Sequence, residues 1–331
     1  MAWQTLLGLI FSLLASHSFT SVVLATTFTL VNKCEYTVWP GILSNPGVAS
    51  ISTTGFTLQK GETKTINAPA SWAGRFWGRT LCSQDSNGKF SCATGDCGSG
   101  KLECSGSGAV PPATLAEFTL DGAGGMDFFD VSLVDGYNLP MLIAPQGGTG
   151  TNCTSTGCVT DLNGQCPSEL KVTSEDGAEG VACKSACEAF QQPQYCCRGA
   201  YGSPQTCKPS SYSQIFKKAC PQAYSYAYDD KSSTFTCAHA DYLISFCPSP
   251  NTSQKSSQGQ SPDQITQTTP PASPVINGTG IGGTATMIYQ GLSSFDESGA
   301  PPSTSAHVLR SLAIAGALSI TVAIWQLVQL L

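Results

Sequence analysis

The sequence predicts an all-β fold, a flattened antiparallel β-sandwich or barrel core flanked by disulfide-rich loop lobes, with short helices in the second lobe. Three observations carry this expectation. Short alternating runs rich in aromatic and β-branched residues recur between Gly and Pro, the pattern of half-buried strands joined by turns. All 16 cysteines lie between Cys34 and Cys247, and an even, confined set implies eight bridges. No fixed-period repeat is present, and helix and strand patterns do not alternate, which argues for a sandwich or barrel rather than βαβ units.

The chain opens with an apolar run, residues 1–25, that ends Val23, Leu24, Ala25 before polar sequence. This is the length and boundary of a secretory signal peptide, and cleavage after Ala25 is expected. Strand patterns then occupy residues 27–32, 35–39, 55–58, 63–67, 74–81, 115–120, 128–134 and 242–246. Residues 148–220 differ, holding nine cysteines and two helical patterns, at 184–190 and 213–219. So little apolar surface is available there that crosslinks restricting the unfolded chain are expected to hold the lobe.

Beyond Pro248 the composition turns to Ser, Thr, Pro, Gly and Gln, which cannot bury enough surface to fold. Residues 249–300 therefore read as a stalk, with glycan acceptor sequons at Asn251 and Asn277. Asn152 also opens a sequon, Asn-Cys-Thr, but the cysteine in its middle, expected to be bridged, argues against its use. The last 21 residues are uncharged, preceded by a ten-residue spacer and by Ser298, Gly299 and Ala300. That arrangement matches a glycolipid (GPI) transfer signal attaching at Ser298, with 301–331 removed. A single transmembrane helix is the alternative.

Between Thr26 and Pro248 there are 14 Lys plus Arg against 19 Asp plus Glu, and residues 102–170 carry eight acidic groups and no basic one. Nucleic acid is excluded as a partner by this balance. After loss of the leader and tail, His239 is the only histidine, so Ser-His or Cys-His catalysis has no base to work with. No phosphate-cradling glycine loop opens a helix. Neither a metal nor another cofactor is expected. Carboxylates remain the available chemistry.

From Gly88 the chain reads GKFSCATGDCGSGKLEC, and NKCEYTVWPG, GRFWGRT, PPATLAEFTL, DFFDVSLVDGYNLPM, GQCPSEL, QYCC and STFTC follow the same scheme. Across 26–248 this resembles the thaumatin-like family of pathogenesis-related plant proteins, including its number and order of cysteines. Sixteen cysteines allow on the order of two million pairings. The resemblance implies Cys34 with Cys247, Cys82 with Cys92, Cys97 with Cys104, Cys153 with Cys237, Cys158 with Cys220, Cys166 with Cys183, Cys187 with Cys196, and Cys197 with Cys207. It also implies an acidic cleft built from Arg75, Glu117, Asp130, Asp135 and Asp230, with Asp229 as a substitute for the last.

Such a cleft is expected to bind β-1,3-glucan of a fungal or plant wall, with Phe76 and Trp77 as stacking surface and antifungal defence as the outcome. Trp39, Trp72 and Trp77 read more readily as strand packing, and Asp96 of TGDC as a turn residue. One rival is a weak endo-β-1,3-glucanase in which Glu117 donates a proton and Asp130 stays ionised as base or nucleophile. Another is a surface interaction or signalling protein with a vestigial cleft. The expected setting is extracellular, at the outer face of the plasma membrane, in the apoplast or wall, as a monomer held by its lipid anchor.

Overall fold

The computed structural model describes residues 25–249. The chain divides into Met1–Thr286 and Met287–Leu331, and all described residues belong to the first part. The expected leader up to residue 24, the sequons at Asn251 and Asn277 and the anchor site at Ser298 lie outside the described residues.

The strands are β1 (Thr26–Asn32), β2 (Trp39–Ser44), β3 (Thr63–Ala68), β4 (Ala73–Gln84), β5 (Phe90–Thr94), β6 (Leu115–Thr119), β7 (Asp127–Ser132), β8 (Met141–Thr149), β9 (Thr156–Cys158), β10 (Lys171–Thr173), β11 (Gly180–Cys183) and β12 (Phe235–Phe246). Ten of them form one sheet in the order β2-β4-β6-β7-β12-β1-β3, with β5 beside β4, β8 beside β12 and β9 beside β8. β12 joins the two halves. Its first three residues pair with β7, and the rest pairs with β8 and β1. The β1–β12 pair is parallel, a departure from the expected antiparallel sheet. It exists because the first and last strands of the domain lie side by side, and Cys34–Cys247 then locks their ends.

The sheet halves stack on an aromatic core. Phe28 of β1 meets Trp72, Phe76 and Phe118 at ring-centroid distances of 5.5, 4.8 and 4.7 Å. Phe129 and Tyr242 extend the cluster. Edge and tilted contacts of this kind add to the burial of large apolar area. A second cluster, Trp77, Cys97, Cys104, Ala113 and Leu115, sits on the other face of β4 and β6. Here the TGDC turn fits closely: Gly95 has φ +63°, its carbonyl accepts from Trp77 Nε1 at 2.8 Å, and Asp96 accepts from Gly98 N–H at 2.9 Å. Gly41 lets the Trp77 ring approach so near that a Cβ would lie 2.4 Å from it.

Of the expected strand at 35–39 only Trp39, the first residue of β2, lies in one. Asn32 takes over that segment: its amide donates to Tyr36 O and Leu58 O, and its Oδ1 accepts from Cys34 N–H. An Asn side chain bonding nearby backbone offers the chain a turn in place of a ladder. Residues 55–58 pair only through isolated bridges to Val38 and Gly41.

The eight sulfur pairs are Cys34–Cys247, Cys82–Cys92, Cys97–Cys104, Cys153–Cys237, Cys158–Cys220, Cys166–Cys183, Cys187–Cys196 and Cys197–Cys207. Four of them fasten the helical lobe, which carries α1 (Ala186–Phe190), α2 (Pro193–Cys196) and α3 (Ser211–Ala219). Ser185 and Ser210 cap α1 and α3 by accepting from the N–H groups of Glu188 and Ser213. A short fourth helix, α4 (Asp230–Ser233), leads into β12.

Candidate functional site: an acidic row across three strands

β4, β6 and β7 lie next to one another, and their register places Arg75 opposite Glu117 and Glu117 opposite Asp130. Strand alternation sends Phe76, Phe118 and Phe129 from the same strands into the aromatic core, so the charged row lies on the opposite face. Neighbouring positions of such a row have Cβ atoms about 5 Å apart. Burying a side chain on one face of each strand therefore fixes the spacing of the charges on the other.

Arg75 Nε lies 3.7 Å from Glu117 Oε1, an ion pair but beyond hydrogen-bond reach. Asp130 is 2% exposed. Both Arg75 Nε and Asp130 Oδ1 are buried without a hydrogen-bond partner. Buried polar atoms are nearly always satisfied, and leaving one bare costs about 1–3 kcal/mol. Two such atoms stand in one charged row.

Asp135 and Asp230 flank the row. Asp135 lies in the turn after β7, where its carbonyl accepts from Ala113 N–H, and its charge acts on Glu117. Asp230, at the start of α4, accepts from Tyr224 O–H at 2.9 Å, and its charge acts on Asp130. Asp229 is committed elsewhere: it pairs with Lys217 at 2.8 Å and accepts from Ser225 N–H and O–H. Of the two neighbouring aspartates, Asp230 is the one coupled to the row.

Burial pushes the Asp130 carboxyl well above the usual aspartate range, and repulsion from Glu117 adds to it, against the pull of Arg75. Glu117 is also raised by burial, but Arg75 and a hydrogen bond from Ser132 favour its charged form. Both carboxyls of the pair are thus pushed toward their protonated forms, with Arg75 opposing the push on each.

Phe76 and Trp77, expected to offer a stacking surface, are completely buried and offer none. Phe76 faces the core, and Trp77 is covered by Gly41 and the Gly95 turn. Trp72 is likewise buried, while Trp39 is half-buried against Phe90. Three residues were missed from sequence. Ser132 shares a face with Asp130 two positions along β7, a signal present but unread. Tyr224 reaches the row through a backbone bridge to Ser132, and Glu188 through its repulsion with Asp135; no local pattern announces either. A separate cavity in the helical lobe, walled by Ser185, Tyr195, Ser213, Phe216 and Tyr226, does not include the row. Among the described residues no group of three or more His, Cys, Asp or Glu could hold a metal ion, His239 is exposed, and no helix is long and apolar enough to cross a membrane.

Comparison with known proteins agrees with this architecture. Thaumatin-like protein 1 of Arabidopsis thaliana is 61% identical over 229 residues, covering 67% of this chain and 86% of that protein. A glucan endo-1,3-beta-glucosidase of Prunus avium is 54% identical over 225 residues, covering 68% of this chain and 91% of its own. The PR5-like receptor kinase of Arabidopsis thaliana is 56% identical over 239 residues, 71% of this chain but 36% of that larger protein. The Thaumatin family model matches residues 32–248, and with the disulfide-stapled sheet and these relatives it places the chain in the thaumatin family.

Proposed function

We propose that the protein recognises β-1,3-glucan of fungal or plant walls through the Arg75–Glu117–Asp130 row, as an extracellular defence protein. The observation that carries this reading is the pair of buried, unpartnered atoms, Asp130 Oδ1 and Arg75 Nε, within one row of charges. A sugar hydroxyl both donates and accepts, so a polyol satisfies an acid oxygen and a guanidinium N–H together. Asp135 and Asp230 supply further acceptors on either side. The relative named as a glucan endo-1,3-beta-glucosidase supports the same ligand class. Retention of the ectodomain on insoluble β-1,3-glucan tests it: Asp135→Lys with Asp230→Lys, both partly exposed positions, should abolish retention, and unchanged retention overturns the reading.

The same reading places the protein on the outer face of the plasma membrane as a monomer, held by a lipid at Ser298 above a glycosylated stalk. Release from membranes by a phospholipase that cleaves GPI anchors tests the tether.

A second reading is hydrolysis, favoured by the opposed acids of β6 and β7 and by the upward push on Asp130. In it Asp130 protonates the leaving oxygen and Glu117 attacks. Directly opposed residues have Cβ atoms about 5 Å apart, a spacing from which two carboxyls can reach the about 5 Å separation of retaining glycosidases. Reducing-end release lost in Glu117→Gln supports it, and binding without release rejects it. The receptor-kinase relative favours a third role, in signalling at the surface with an idle cleft; partner capture indifferent to charge reversal at Asp130 and Asp135 would support that role over both others.

A further inference from the structure

The Asn-Cys-Thr sequon at Asn152 lies within the folded domain, and its middle residue is bridged to Cys237. We propose that Asn152 carries an N-linked glycan, rooted beside the Asp230 end of the acidic row. In sequence the bridge cysteine argued against this site. The structure removes that objection in three ways.

Asn152 and Thr154 are both exposed, in a turn that follows β8, so the finished domain has room for a bulky substituent. The half-exposed Cys153 between them turns back into the fold, its N–H donating to Gly150 O. The side chains the sequon needs thus face water while the bridge lies beneath. Second, Cys237 follows Cys153 by 84 residues. As a chain enters an oxidising compartment from its N-terminus, Asn152 arrives well before Cys237, the native partner of Cys153. Of the preceding cysteines, Cys82 and Cys92, and Cys97 and Cys104, are matched to each other, while Cys34 belongs with the still later Cys247. Third, the only hydrogen bond holding the Asn152 side chain among the described residues is Nδ2 donating to Thr234 O at 2.9 Å. An amide nitrogen has two protons. Glycosylation replaces one of them and leaves the other to donate.

The step is a group transfer from a lipid-pyrophosphate-linked oligosaccharide. The anomeric carbon–oxygen bond to the pyrophosphate breaks, a bond from that carbon to Asn152 Nδ2 forms, the amide loses one proton, and the lipid pyrophosphate leaves. The root of the glycan is then set by Thr234. Thr234 N–H donates to Asp230 O, and its hydroxyl bonds the Tyr224 hydroxyl, which in turn donates to Asp230 Oδ1.

The test is glycopeptide mass spectrometry of the full chain secreted from a plant cell. Trypsin cuts nowhere in 102–170, so chymotryptic peptides are used. The expected result is a hexose and N-acetylhexosamine ladder on the peptide containing Asn152, lost on Thr154→Ala and kept on Thr154→Ser. The wild-type measurement needs no variant to fold. A secreted protein whose Asn152 peptide is wholly unmodified overturns the proposal, whatever is found at Asn251 and Asn277.

Discussion

Asp130 sits 2% exposed, directly opposite Glu117, and one change to it tests the electrostatics of the row. The perturbation is Asp130→Asn, which keeps the shape and removes the charge. A folded-state pKa raised above its unfolded value means that the native chain holds the proton more tightly. Stability is then fully present below the ordinary aspartate value of about 3.9 and is lost as pH rises toward the folded value. Two full charges about 5 Å apart at an effective dielectric of 20 repel by about 3 kcal/mol. Arg75, 3.7 Å from Glu117, recovers part of this. The variant should therefore gain about 1–3 kcal/mol over wild type at pH 8 and little or nothing at pH 4. Urea midpoints measured with bridges intact at both pH values read the difference, with an unchanged denaturant slope confirming a stability effect. An Asn variant no more stable than wild type at pH 8, or equally displaced at both pH values, would refute the upward push on Asp130.

Removing Cys34–Cys247 by paired Ala substitution opens a loop of sequence separation 213 and should cost about 5 kcal/mol; removing Cys97–Cys104, separation 7, should cost about 2.5, as thermal unfolding of the two variants can show. Arg79 is fully buried, its pKa lowered to about 10 chiefly by burial, and it donates to Trp39 O, Pro40 O and Leu102 O. Arg79→Met leaves those carbonyls bare and should cost about 3–5 kcal/mol in urea unfolding, where a loss under about 1 would contradict the assignment. Asp229→Asn weakens the 2.8 Å pair with Lys217 and should lower the urea midpoint while sparing glucan retention; Asp230→Asn should do the reverse.

Much of the fold was legible because one-sided burial writes itself into alternation. The run LAEFT becomes β6 with Glu117 on one face and Phe118 on the other. Where both faces are covered the signal disappears: Met141, Leu142 and Ile143 of β8 are all buried, present no alternation and were not read as a strand. β12 begins at Phe235, seven residues before the pattern at 242–246, because Thr236, Ala238 and His239 interrupt its apolar half. The parallel β1–β12 pair joins the two ends of the domain, a contact no local window contains.

The charged row was half legible. Its residue types came with the resemblance to thaumatin-like proteins, but the direct opposition of Arg75, Glu117 and Asp130 depends on register, which the intervening turns set. The upward push on Asp130 could not be read at all, since it turns on how deeply the folded chain encloses that carboxyl. Trp77 misled for a similar reason: one face of β4 is roofed by the 95–113 segment, and only the folded chain brings that roof.

The most direct measurement is calorimetric titration of the secreted ectodomain with a soluble β-1,3-gluco-oligosaccharide, wild type against Glu117→Ala with Asp130→Ala. Affinity at least tenfold weaker in the variant, a loss of about 1.4 kcal/mol, with a urea midpoint no lower than wild type, is the expected outcome. Equal affinity in the two proteins would place the sugar elsewhere and leave the acidic row without its ligand.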